Sequence, residues 1–232
     1  AVRFPLAGHR PQDYAADLKA MMQSPEGFTI IKQPIGFHSD MKRAVPDFYY
    51  GDPTASPLHG ALDRGPITEK GLNLFVDCVA AMKEVAGDKV GLALDCGPGW
   101  MLSDAIRLAR RLEPYSLMWI EDLLSGDYTP WVDAGEQIYL RHNFKELIER
   151  NAVHVVGPDP ADVGGIAELK WIAEFADIHG IMMAPHGTAN GLLGLGALVQ
   201  VCATLPDIIW SRTTRPFSTR AIQDLIDSNP WL

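Results

Sequence analysis

VHVVGPDPADVGGIAELKWIAEFADIHGIMMAPH, residues 153–186, reads as a complete strand–helix–strand repeat. An apolar run, VHVV, closes on GPD at Asp159. The segment 165–179 then carries apolar residues at steps of three and four, the period of a helix with one buried face. A second apolar run, IMMA, closes on Pro185 and His186. Working outward from this stretch, VGLALD (90–95) ends at Asp95, LMWIE (117–121) ends at Glu121, and a weaker run ends in GE at Glu136. Each apolar run therefore ends on a residue able to bind a cation or move a proton.

The apolar runs start near Val90, Leu117, Val153, Ile181 and Ile208, at intervals of 27, 36, 28 and 27 residues. A near-constant interval of this size is one strand, one helix and two loops. The amphipathic segments 102–112, 143–150, 165–179 and 192–204 supply the helices. Upstream, Val2–Phe4 and Phe28–Ile31 are expected as two further strands, with 11–22 and 68–86 as their helices. Counting the weak run at Glu136, the pattern predicts an α/β chain folded as a TIM-type (β/α) barrel, one domain over residues 1–232. Such a barrel brings its strand ends to one mouth, where its chemistry is done.

Two intervals depart from the pattern. The 36 residues from Leu117 to Val153 must hold two strand–helix units, so about one helix is missing there. After Lys32, by contrast, a long stretch rich in Gly, Pro and Asp separates a strand from its helix, and a loop of that length is usually functional.

Composition narrows the function classes. A net charge of −9 with pI near 5.2, and no long basic run, points away from nucleic acid and anionic membranes and toward a small-molecule partner. Cys78, Cys96 and Cys202 are odd in number and widely spaced, which suggests neither a disulfide framework nor a zinc site. The apolar runs are too short to span a bilayer, and cytoplasm is the expected compartment.

Asp95, Glu121 and Glu136 on adjacent strand ends would make a hard, oxygen-rich site suited to Mg²⁺. The competing reading makes Glu121 and Asp122 a solvated loop start and pairs Glu136 with Arg141. His186 and Asp159, at neighbouring strand ends, could form a hydrogen-bonded pair in which the carboxylate sets the imidazole tautomer, making His186 a candidate general base. A structural histidine bonded to a loop carbonyl is the alternative. Lys32, placed at a strand end, could direct its ammonium into the mouth or snorkel at the rim. Tyr49 and Tyr50 could donate a proton, cover the site or merely pack. His9, His38, His59, His142, His154 and His179 have no comparable partner in the sequence and read mostly as surface or loop residues. The glycine-bearing stretches 97–99 and 187–196 lack the dinucleotide-binding spacing and read as tight turns.

GFTIIK, LALDCG, WIEDL, GEQIYLR, GPDPADVGGIAELKWIA and APHGT, in this order, resemble the barrel of the enolase superfamily, mandelate racemase branch, over about residues 26–206. The resemblance implies Mg²⁺ held by Asp95, Glu121 and Glu136, and a base dyad of Asp159 and His186. It also implies removal of the proton α to a carboxylate, the metal stabilising the enediolate, followed by racemisation, cycloisomerisation or loss of a β-hydroxyl. The family's strand-two K-x-K is here Lys32-Gln33-Pro34, which keeps only the first lysine. Loss of the second base favours an acid-sugar dehydratase, with a racemase or epimerase as one alternative and a non-catalytic barrel binding a carboxylated ligand as another. The acid common near the end of strand eight is not found in DIIWSRTT. No counterpart of the family's N-terminal α+β cap precedes the first expected barrel strand, so the chain is expected to represent part of a longer protein. A homo-oligomer is expected, as for many barrel enzymes.

Overall fold

Strand β1 (Ile30–Pro34) runs parallel to β2 (Gly91–Asp95), which in turn runs parallel to the short β3 (Ile120–Glu121). The computed structural model describes residues 8–25, 27–51, 66–97, 100–124, 138–187 and 191–205. Within them a second parallel pair joins β4 (Val155–Val156) to β5 (Met182–Met183). Parallel neighbours need a crossover, and helices supply it. The helices are α1 (Pro11–Met22), α2 (Met41–Ala44), α3 (Glu69–Ala86), α4 (Leu102–Leu112), α5 (Leu140–Glu149), α6 (Ile166–Asp177) and α7 (Gly191–Cys202).

The strand–helix alternation is as the apolar spacing predicts. The expected strands at Val2–Phe4, near Glu136 and from Ile208 lie outside the described residues, as does closure into a full barrel. The predicted helix bounds at 11–22 and 102–112 match α1 and α4, whereas α5 begins at Leu140, three residues ahead of the expected start. Strand β1 also differs from expectation: it begins at Ile30 rather than Phe28 and continues through Pro34. A proline can occupy the last ladder position because parallel pairing there does not require its missing N–H.

Local chemistry explains several boundaries. Thr68 caps α3, its Oγ1 accepting the Gly71 amide at 2.9 Å, and Gly87 ends the helix at φ +56. The apolar face of α3 (Leu72, Phe75, Val79, Met82) is buried against α1 and the β1–β3 sheet. Burying a side chain of the Phe or Leu class contributes about 1.5–3 kcal/mol. The core of the described residues falls into two clusters. One lies around β1–β3 with α1, α3 and α4; the other gathers Phe144, Leu147, Val156, Ile172 and Met183 among β4, β5, α5, α6 and α7.

Candidate functional site

Register decides which side chains meet. Pro34 pairs with Asp95, and Asp95 with Glu121, while Lys32 pairs with Ala93, two residues ahead of Asp95. Side chains alternate along a strand, so this parity places Lys32, Asp95 and Glu121 on one face of the sheet. Their contacts follow: Lys32 Nζ lies 2.6 Å from Glu121 Oε1 and 3.2 Å from Asp95 Oδ2. Lys32 is thus the third of five strand residues rather than a strand-end residue, and its ammonium is buried between two carboxylates instead of snorkelling at a rim.

Three further partners were missed in the sequence. Trp119 Nε1 donates to Glu121 Oε2 at 2.9 Å, so both oxygens of Glu121 are engaged. The WxE spacing puts the two side chains on the same face, and that parity is the signal that could have found the pair. The second is Asp122. Consecutive strand residues point to opposite faces, yet single carboxylate oxygens of Asp95, Glu121 and Asp122 lie within 4.8 Å of one another. Asp122 turns back toward the other two because its backbone is left-handed, φ +54, a region that Asp tolerates better than most residues. All three acids are buried, which overturns the reading of Glu121 and Asp122 as a solvated loop start.

Asp95 also meets His38, whose Nδ1 lies 2.9 Å from Asp95 Oδ1. Reading His38 as a loop histidine without a partner is corrected by this contact, which a long-range chain approach creates and spacing cannot reveal. Burial would raise the Asp95 carboxyl, but the Lys32 ammonium and then His38 outweigh it and hold the group at about 2. Burial and then the neighbouring carboxylates push the adjacent Cys96 thiol well up, which keeps it protonated and unreactive.

The β4–β5 pair builds a second group of candidate residues. Val156 pairs with Met183, and Asp159 and His186 each follow three residues later, so both leave the sheet at the same level. His186 Nδ1 lies 2.7 Å from Asp159 Oδ2, while Asp159 Oδ1 accepts the Ala161 amide at 2.8 Å. Asp159 is buried and the His186 side chain is a quarter exposed. A carboxylate on Nδ1 directs the other ring nitrogen, Nε2, to act as proton acceptor.

Glu136 lies outside the described residues. Arg141, its partner in the competing reading, places its guanidinium 3.7 Å from the centroid of the Trp171 ring and 3.6 Å from Glu168. Tyr49 is buried edge-on against Phe37, a packing role, while Tyr50 is exposed. In the 97–99 stretch, Gly97 has φ +68, and a Cβ there would lie 2.5 Å from the His38 amide nitrogen. That glycine serves a close chain approach, as a tight turn requires.

Among known proteins, the chain is 33% identical to a D-xylonate dehydratase of Haloferax volcanii over 143 residues, which are 57% of this chain and 34% of that protein. It is 33% identical to an L-rhamnonate dehydratase of Saccharopolyspora erythraea over 145 residues, 55% of this chain and 36% of that one. A solved mandelate racemase/muconate lactonizing enzyme-like protein from Rubrobacter xylanophilus superposes with a TM-score of 0.66 at 30% identity, covering 85% of this chain and 48% of its own. The matched stretch thus spans about a third of the two curated relatives and about half of the solved structure. Since residues 14–231 match the model of the enolase C-terminal domain-like family, the chain belongs to this family.

Proposed function

We propose that the chain carries the catalytic barrel domain of a Mg²⁺-dependent acid-sugar dehydratase, which removes the proton α to a carboxylate and eliminates the β-hydroxyl as water. The observation that carries the reading is the 2.7 Å contact of His186 with Asp159, on a chain that also gathers buried carboxylates on β2 and β3. The two relatives named as dehydratases of sugar acids support the choice of substrate class.

The donor set fits magnesium. Asp95, Glu121 and Asp122 offer hard oxygen ligands, and three carboxylates against the one ammonium of Lys32 leave an excess of negative charge that a divalent cation matches. Asp95 and Glu121 would hold the ion together with Glu136. When bound, Mg²⁺ supplies a Lewis acid toward the substrate carboxylate, which lowers the cost of removing the neighbouring proton.

The remaining steps belong to the protein's own residues. Asp159 holds His186 in the tautomer that presents Nε2, and stabilises the ring once protonated. His186 takes the α-proton, and the electron pair of the broken C–H bond forms the Cα–Cβ double bond as the β C–O bond breaks. His186 delivers the collected proton to the departing hydroxyl, which leaves as water, and the enol product tautomerises to a 2-keto-3-deoxy acid. Lys32, in contact with both Asp95 and Glu121, adds positive charge where the substrate carboxylate gains negative charge. Pro34 stands where a second lysine would provide a base, which favours elimination over a two-base racemisation.

The test is incubation of the protein with Mg²⁺ and a panel of sugar acids, D-xylonate and L-rhamnonate included, in D₂O with NMR detection. Formation of a 2-keto-3-deoxy acid is the expected result. Deuterium at the α-carbon without keto product would reassign the chain to racemisation or epimerisation, and neither signal would leave a non-catalytic carboxylate-binding barrel.

A further inference from the structure

The turn that follows β1 is more tightly built than a connecting loop requires. Gly36–His38 forms a 3₁₀ turn, and Ser39 Oγ donates to the Gly36 carbonyl at 3.0 Å while Tyr14 donates to the same hydroxyl at 3.4 Å. Phe37 is buried, with edge contacts to Phe48, Tyr49 and Trp100 at 5.1 to 6.0 Å between ring centroids. The turn is also stitched to the end of β2 by backbone bonds on both sides of Asp95. Ile35 N donates to Asp95 O at 2.9 Å, and His38 N donates to Cys96 O at 3.0 Å. Gly97 permits this approach, because any Cβ at its position would run into the His38 backbone.

What this construction delivers is one side chain at one atom: His38 Nδ1, 2.9 Å from Asp95 Oδ1. The other oxygen of Asp95 faces Lys32 at 3.2 Å. A carboxylate that must present a lone pair to a cation gains from a partner that stops it rotating, and a ring nitrogen held by a rigid turn can do so. Lys32 cannot serve in this way, since its ammonium is itself a cation among the ligands. We infer that His38 is a positioning residue, its Nδ1 set 2.9 Å from Asp95 Oδ1 so that the carboxylate is held in the orientation in which it binds the divalent ion.

The inference rests on reading Asp95 as a metal ligand. It goes beyond that reading by assigning a role to a histidine outside the dyad and outside the ligand set. It also gives the segment after β1 a purpose: the aromatic packing around Phe37 and the glycine at 97 become the scaffold that keeps the ring in place. A merely structural histidine would share the packing and the 2.9 Å contact but would have no effect on the ion.

The experiment separates the donor from the bulk. His38→Phe keeps a ring and removes the donor; His38→Asn loses the ring but can place an amide N–H where Nδ1 lies. Mg²⁺ titration by calorimetry on the full chain, with circular dichroism as the check on folding, is the readout. His38→Phe is expected to weaken Mg²⁺ binding about 10- to 100-fold, the size of effect seen when an outer partner of a metal ligand is removed, with His38→Asn recovering most of that loss. Native-like affinity in folded His38→Phe, or an Asn variant as weak as the Phe variant, overturns the inference. Should His38→Phe fail to fold, His38→Leu takes its place as the variant without a donor, because loss without the donor and recovery by Asn are each required. If the unsubstituted chain binds no Mg²⁺, the ligand reading of Asp95 fails first and takes the inference with it, an outcome distinct from normal binding that is indifferent to position 38.

Discussion

His186 and Asp159 are 27 residues apart in the chain and 2.7 Å apart in space, the imidazole Nδ1 against the carboxylate Oδ2. The pairing follows from the parallel register of β4 with β5, which sets two residues at the same distance beyond a matched pair side by side. A second oxygen of Asp159 is anchored by the Ala161 amide, so the carboxylate is oriented before any substrate arrives.

His186→Asn should abolish exchange of the α-proton with solvent while leaving Mg²⁺ affinity close to native, and Asp159→Asn should slow exchange by a factor on the order of 10² to 10⁴. NMR of the substrate in D₂O measures both. Unchanged exchange in His186→Asn would remove that residue as the base.

Glu121→Gln should weaken Mg²⁺ binding about tenfold or more, because it removes the charge that two donors, Lys32 and Trp119, hold in place. Asp122→Asn is expected to act in the same direction if its carboxylate faces the ion. Equal affinity for Asp122→Asn would assign that side chain to the turn at φ +54 alone. Titration calorimetry on each variant distinguishes the two acids.

Gly97→Ala should cost about 2 kcal/mol or more. A left-handed residue with a Cβ costs roughly 1–2 kcal/mol by itself, and crowding against the His38 backbone adds to it. Urea unfolding gives the loss. A change under about 0.5 kcal/mol, the range of an ordinary surface substitution, would show that the chain relaxes there at little cost.

The Asp95 carboxyl, held at about 2 against an ordinary 3.8, links stability to pH. Because the folded value lies below the unfolded one, the stabilisation is fully present above about pH 4 and is lost as pH falls through about 2. The shift corresponds to about 2 kcal/mol. In metal-free buffer Asp95→Asn should therefore be less stable than the native chain near pH 6, and the gap should shrink as pH is lowered from about 4. A gap independent of pH would show that the ion pair with Lys32 does not set this carboxyl.

Apolar periodicity determined the alternation of strands and helices by itself, since a buried strand and a one-faced helix each need their own spacing of apolar residues. It located α1 and α4 to the residue and set Asp95, Glu121, Asp159 and His186 at or just beyond strand ends. Those positions follow from local chain chemistry, so a sequence can display them. Contacts between segments far apart in the chain were decided only by the tertiary structure. Strand parity put Lys32 between Asp95 and Glu121, a left-handed backbone turned Asp122 into the same group, and a close approach at Gly97 brought His38 to Asp95. The physical reason is the same in each case: spacing along a chain specifies which face a side chain occupies, while its partner depends on how separate segments are registered and packed.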